Sequence, residues 1–328
     1  MFFNSMILGT MITISSYSWF MMWMGLEINL ISVIPLFNNN KNMYSSEVSM
    51  KYFITQSIAS LTLLISIIMM ISISMIKNLE SMFNSILMIS MLMKMGAAPM
   101  HFWFPEVMEG LSWMNSIILL TWQKIAPMVI FMMNKINKKI LIISVIACLL
   151  ISATMVMNQI SLRKIMAFSS INHIAWMLSS MLTSLSSWIM YFIIYSMTNI
   201  LLIINLFKYN IFFINQLFST WNTKKNIKMM TMMNFLSLGG LPPFIGFIPK
   251  WIIINQLNNI NLQMINFLLI IFSLALLYIY LNLTISSLML NFTEFKLYKF
   301  NSTNKYISIF NLIFLFSALN SIIFINFN

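Results

Sequence analysis

Aspartate is absent from this chain, and its six acidic side chains are all glutamates. Charged residues make up 7% of the 328 positions, where soluble domains carry about a quarter. So little charge excludes a separate water-facing domain. Cys148 is the single cysteine, which excludes an internal disulfide, a four-cysteine iron–sulfur site and a structural zinc site. His101 and His173 are the only histidines, too few for a haem pair plus any other histidine site. No G-x-G-x-x-G or P-loop pattern occurs, which argues against nucleotide binding. Tight metal binding is disfavoured too, because the ionisable groups inside the apolar runs are mainly lysines, which repel cations.

What is present is apolar. Hydrophobic residues reach 60% and the mean hydropathy is +0.89, the composition of a polytopic membrane protein. At roughly 20 to 30 residues per span and loop, the length allows about ten or eleven helices. Basic residues outnumber acidic ones by 18 to 6, for a net charge of +12. In a soluble protein that excess would suggest nucleic acid. Here most of it falls between apolar runs and is read as membrane-surface charge, with the lipid bilayer and no nucleic acid as partner. The chain starts directly in an apolar run, without an Arg-rich leader or a cleavable secretory pattern. Thirty-five methionines and a single arginine fit an AT-rich coding bias in which a usual Ile codon is read as Met, pointing to synthesis inside an organelle.

Apolar runs separated by polar breaks predict helices over 5–22, 24–37, 51–76, 81–104, 112–132, 140–157, 164–183, 187–207, 228–256, 262–291 and 306–326. The first turn falls near Trp23. An odd number of spans puts the two ends on opposite faces. Lys41, Lys51, Arg163, Lys164, Lys208, Lys224, Lys225, Lys228, Lys296, Lys299 and Lys305 lie on the side of the N-terminus; Lys77, Lys135, Lys138 and Lys139 lie opposite. That asymmetry assigns the N-terminus to the cytoplasmic or matrix side.

Four charges remain inside spans: Glu27, Lys94, Lys124 and Lys250. An ionisable group there costs at least about 2.5 kcal/mol even on lenient insertion scales. Lys124 lies about 18 Å into its span, too deep for easy snorkelling. The plain alternative for each lysine is a static pair or a snorkelling side chain, and for Glu27 that alternative has equal standing. His173, midway along "SSINHIAWM", reads equally as an interior histidine or a functional one. His101 and the Glu106/Glu109 pair lie near a helix end, the two acids as loop charges. The chemistry such lysines support is proton relay: burial penalises an ammonium, a nearby carboxylate favours it, and a change in distance or hydration moves a proton. Each charge also has a helix-breaking residue nearby: Gly25, Gly96 and Pro99, Pro127, and Pro249. Freed backbone groups persist in a membrane only in the protein interior or beside water, so hydrated interruptions are expected at these levels.

"KMGAAPMHFWFPEV" (Lys94 to Val107) and "GGLPPFIGFIPKW" (Gly239 to Trp251) share a spacing. Gly96, Pro99 and Pro105 match Gly240, Pro243 and Pro249, and Glu106 falls opposite Lys250. The copies lie in the fourth and ninth spans, and an odd offset makes them run in opposite directions, as in transporters built from inverted repeats with discontinuous helices.

Together with "WMGLEINLISVIPL", "TWQKIAPM" and "NQISLRKIMAFSSINHIAWM", these segments resemble, in order, the signatures of NADH dehydrogenase subunit 2, a family of mitochondrially encoded, antiporter-like subunits of respiratory complex I. The resemblance covers about Trp23 to Trp251. It implies an all-α polytopic membrane fold of about eleven transmembrane helices in two inverted five-helix repeats, with discontinuous fourth and ninth helices. A single antiporter-like domain would fill 1–328, with repeats at about 5–132 and 140–291 and a last helix at about 306–326. The family's proton-handling positions fall on Glu27, Lys94, Lys124 and Lys250; His173 matches a histidine following a Ser-Ser pair, here Ser169 and Ser170, and Ala175 fits the family's small residue. The resemblance implies a proton-translocating subunit of an NADH:ubiquinone oxidoreductase in the mitochondrial inner membrane. Its N-terminus would face the matrix and its C-terminus the intermembrane space. Partners are other membrane-arm subunits, including other antiporter-like ones. No cofactor is expected in this chain; flavin, iron–sulfur clusters and quinone belong to other subunits. Lys124 is the expected central relay, with Lys94 governed by Glu27 and Lys250 as the outlet or link to a neighbour. Two rivals are a free-standing Na⁺/H⁺ or K⁺/H⁺ antiporter and a non-conducting scaffold of the membrane arm.

Overall fold

The structure is a computed structural model that describes residues 1–38, 43–72, 77–134, 137–223 and 225–289. The last expected helix, 306–326, lies outside the described residues. Among them every regular element is a helix, and the one extended contact is an isolated bridge between Ser161 and Phe213. Helix is the dictated outcome for long apolar runs, since only a helix satisfies its own backbone away from water. Among the described residues six stretches are long and apolar enough to cross a membrane: Trp19–Phe37, Tyr44–Ser72, Trp113–Met133, Lys138–Val156, Leu185–Lys208 and Gln263–Ser286. Many of their serine and threonine hydroxyls are absorbed locally, donating to a carbonyl one turn back, as Ser66 does to Leu63 (2.6 Å) and Ser152 to Leu149 (3.0 Å).

The chain folds as two compact units, residues 1–148 and 149 onward. The first holds α1 (Phe2–Ser15), α2 (Trp19–Phe37), α3 (Met43–Ser72), α4 (Lys77–Met95), α5 (Trp103–Gly110), α6 (Trp113–Leu120), α7 (Trp122–Met133) and the start of α8 (Lys138–Val156). The second continues α8 and adds α9 (Leu162–Met181), α10 (Leu185–Lys208), α11 (Ile214–Thr223), α12 (Lys225–Gly239), α13 (Phe247–Asn259) and α14 (Gln263–Met289). From Ile165 to its end α9 is buried on every side, although Ser169, Ser170, Asn172 and His173 make it one of the more polar helices. That combination marks it as the core of its unit.

Several expectations are corrected. The first turn lies at Ser16–Ser18 rather than near Trp23, because Ser18 caps α2 by accepting from the Met21 N–H. Glu27 therefore sits mid-helix, and Gly25 interrupts nothing: it is buried in a continuous α2, where it lies against Gly9 and Thr13 of α1. The expected 112–132 helix is divided at Thr121 (φ −113°, ψ −70°), whose hydroxyl donates to Ile117. Pro127 stays inside α7 without ending it. Residues 214–223, read as loop, form α11. Lys51, counted as a loop charge, lies within α3 and pairs with Glu106 (2.9 Å) and Glu47 (3.0 Å).

Helix stops at both glycine–proline segments, after α4 and after α12, and the two ends are built alike. At the end of α4, Gly96 takes φ +71°; its N–H donates to Met93 and the Ala97 N–H reaches back to Leu92. At the end of α12, Gly240 takes φ +82°; its N–H donates to Ser237 and the Leu241 N–H reaches back to Leu236. Each is a Schellman turn, which needs a residue free to enter the left-handed region. Helix resumes as α5 and α13.

Candidate functional site

In the first unit the expected charges fall around two polar places. Lys94 stands in the last turn of α4, 7% exposed, and contributes to the wall of a cavity of about 20 Å³. A cavity above about 10–15 Å³ can hold one water. The rest of the lining is Leu26, Asn29 and Leu30 of α2, Tyr52 and Gln56 of α3, and Gln123 and Pro127 of α7. Three hydrogen bonds knit α2, α3 and α7 together there. Asn29 Nδ2 donates to Gln123 Oε1 (3.0 Å), Gln123 Nε2 returns a bond to Asn29 Oδ1 (3.1 Å), and the Tyr52 hydroxyl donates to Gln123 Oε1 (3.4 Å). Gln56 Nε2 donates to the Lys94 carbonyl (3.3 Å), one that the end of a helix leaves without a partner. Glu27 is half-buried and acts electrostatically on Lys94 without a direct ion pair; its Oε1 is buried with no hydrogen-bond donor.

Lys124 is 1% exposed and belongs to the other place. Its ammonium lies over the Phe104 ring, 5.6 Å from the centroid, in the neighbourhood of Cys148. Cys148 in turn lines the α4 break, accepting the Ala98 N–H at 3.1 Å. Consecutive residues of α7, Gln123 and Lys124, thus serve two different surroundings: the amide meets Asn29 at the Lys94 cavity, and the lysine meets Phe104 beyond the break.

In the second unit Lys250, also 7% exposed, bends back on its own break. Its Nζ donates to the carbonyls of Gly239 (2.8 Å) and Leu238 (3.3 Å), the last of α12, and lies 5.8 Å from the Trp176 ring centroid. A cation at this end of a helix meets both unpaired carbonyls and the negative end of the helix dipole. One turn from Trp176 on α9, His173 Nδ1 is 2.7 Å from the Tyr191 hydroxyl, and its ring lies against Tyr195 at 4.9 Å. A cavity of about 10 Å³ lies there, lined by His173, Tyr191, Tyr195, Thr198, Ser237 and Pro249 among others. Ser170 and Asn199 sit against the Tyr195 hydroxyl. Asn234, fully buried one turn before the break, has neither its Nδ2 nor its Oδ1 hydrogen-bonded.

Scanning for charge therefore missed a second class of residue. Asn29, Gln56, Gln123 and Tyr52 line the Lys94 cavity and Tyr191 and Tyr195 the His173 cavity, all uncharged, and Asn234 is an uncharged polar side chain buried without a partner. An amide inside a span was the available signal, because its desolvation also demands a partner.

The family described as NADH:quinone oxidoreductase/Mrp antiporter, TM, matches residues 16–277. The chain is similar to NADH-ubiquinone oxidoreductase chain 2 of Anopheles gambiae, with 45% identity across 99% of this chain and 96% of that one. It is similar to the chain of the same name from Locusta migratoria, with 44% identity across 90% of this chain and 86% of that one. Among solved structures, a chain of respiratory complex I from Thermus thermophilus with bound aureothin shares the fold. The TM-score is 0.83 at 19% identity, covering 94% of this chain and 74% of that chain.

Proposed function

Since this chain belongs to the NADH:quinone oxidoreductase/Mrp antiporter family of membrane subunits, we propose that it is the membrane-arm subunit of an NADH:ubiquinone oxidoreductase that moves protons through buried lysines. The observation that carries this is the burial of Lys94, Lys124 and Lys250, each beside a break in its helix or that of a neighbour. A lysine held only for topology would extend its ammonium toward the headgroups. These three are turned inward, onto a water-sized cavity, an aromatic face and the end of a broken helix.

In this reading Glu27 governs the charge on Lys94, Lys124 is the relay of the first unit, and Lys250 with His173 and Ser170 forms the station of the second. The chain performs no redox chemistry; flavin, iron–sulfur clusters and quinone are held by other subunits. Its partners are further membrane-arm subunits, other antiporter-like ones among them. We assign it to the mitochondrial inner membrane with eleven spans and the N-terminus in the matrix. Replacing Lys124 by Met in the assembled complex, reconstituted in sealed vesicles, lowers the protons moved per NADH oxidised. An unchanged stoichiometry overturns the reading.

A further inference from the structure

The reciprocal amide pair between Asn29 and Gln123 has a chemistry that the lysines do not. Each amide uses one N–H and one lone pair on the other, and the Tyr52 hydroxyl takes a further lone pair of Gln123. The pair is a closed ring of neutral groups. It hydrogen-bonds like water, yet an amide does not pick up or release a proton in the working pH range. A proton wire that reaches such a ring stops. The ring forms one wall of the cavity that holds Lys94, and the residue after Gln123 is Lys124.

The backbone carrying Gln123 is weakened on both sides. Thr121, between α6 and α7, is helical but far from ideal torsion angles (φ −113°, ψ −70°), and its carbonyl accepts the Lys124 N–H in a tighter three-residue turn (3.3 Å). Pro127 lacks the N–H that would bond the Gln123 carbonyl, so α7 is missing one rung at this very residue. The turn from Trp122 to Ala126 lies between the Thr121 irregularity and the rung missing at Pro127, and the amide ring ties it to α2. Because Gln123 and Lys124 are consecutive, turning this segment opens the ring and re-aims the lysine in a single motion. A purely structural clamp between α2 and α7 has no need of two amides, since apolar side chains would fill the space without the cost of desolvating polar groups.

We propose that the Asn29–Gln123 ring is a proton-blocking latch: closed, it isolates the Lys94 cavity, and when the Gln123–Lys124 turn rotates it opens a water-filled route past Lys94. Asn29 and Gln123 are positioning residues that carry no proton themselves. The inference rests on the proton-translocating reading above, and its test separates the two.

The assembled complex is placed in sealed vesicles with an imposed pH gradient and no NADH, and proton entry is followed with a trapped pH dye, normalised to intact complex on native gels. Gln123→Leu and Asn29→Leu each raise passive entry about tenfold, the shift set by losing the two neutral hydrogen bonds of the ring. The exchanged pair Asn29→Gln with Gln123→Asn rebuilds a ring of the same total length and returns entry to the original rate. Adding Lys94→Met to Gln123→Leu abolishes the leak. If Gln123→Leu fails to assemble, Asn29→Ser, which keeps a polar group but cannot close the ring, gives the same reading. Passive entry unchanged in the leucine variants overturns the latch, and so does a leak that survives Lys94→Met, which is a packing defect. Should Lys124→Met lower proton stoichiometry while the leucine variants stay tight, the latch falls and the translocation reading stands. Should Lys124→Met change nothing, that reading falls instead.

Discussion

The breaks after α4 and α12 close with the same Schellman turn but finish the helix with different donors. Counting from the left-handed glycine, the Lys94 carbonyl in the first unit and the Leu238 carbonyl in the second are equivalent. The first is met by the neutral amide of Gln56, the second by the ammonium of Lys250. In the first unit the positive charge belongs to the residue that owns the carbonyl; in the second it returns from twelve residues downstream. Either way a cation is delivered to the C-terminal end of an interrupted helix, where the dipole is negative. The two units therefore share where a charge is tolerated and differ in what holds the helix end together. Lys94 is spared that structural duty, and Lys250 is bound to it.

The likeness of the two breaks can be tested in three places, taken from the largest effect to the smallest. Alanine at either left-handed glycine costs about 1–2 kcal/mol in backbone strain. At Gly96 the new methyl also meets the buried Phe104 ring at 2.9 Å, whereas at Gly240 it meets the far end of the unbranched Lys250 side chain at 2.9 Å. Overpacking a rigid core adds about 1–3 kcal/mol. Gly96→Ala is thus expected to reduce assembled complex and its denaturation midpoint most, while Gly240→Ala assembles better but displaces Lys250 and lowers proton stoichiometry. Equal stability losses at the two sites would break the contrast.

Next comes Lys250→Met set against Lys94→Met. The former removes a charged donor from two carbonyls, a loss of about 1.5–3 kcal/mol, and hydrogen–deuterium exchange of the assembled complex should speed up around 238–244. The latter leaves the α4 cap intact and exchange near 94–100 unchanged, although both variants lose proton movement. Faster exchange in both would show that Lys94 too is structural. The smallest effect belongs to Gln56→Leu. Losing one neutral hydrogen bond is worth about 0.5–1.5 kcal/mol and predicts a few-fold faster exchange confined to the end of α4.

How much of this was legible beforehand follows from what each feature costs in a membrane. Lys94, Lys124 and Lys250 stood out because charge inside an apolar run is rare and expensive. Gly96 and Gly240 were legible because glycine and proline recurring at one spacing is foreign to a plain span, and both proved to be left-handed turns. Gly25 misled for the opposite reason: a glycine in a span also serves close packing, and α2 runs through it unbroken against α1. The Thr121 discontinuity carried no local sign, since threonine is at home in spans and this break depends on what surrounds it. The amides were the most hidden. Asparagine is so frequent in this composition that Asn29 or Asn234 alone carried little weight, and their significance comes from partners far away in sequence or from having none.

The interrupted helices also bear on how the chain is made. At 1.5 Å per residue, the 15 residues of α12 span about 22 Å and the 13 of α13 about 20 Å. Neither reaches across a hydrocarbon layer of about 30 Å. Insertion machinery that tests each segment as it emerges meets two fragments too short to be retained, joined by a turn too polar to face lipid. Such a segment enters the bilayer only in company, with its neighbours already there to receive it. The feature that lets the finished protein hold a charge in the membrane thus makes its biosynthesis depend on the order in which helices arrive.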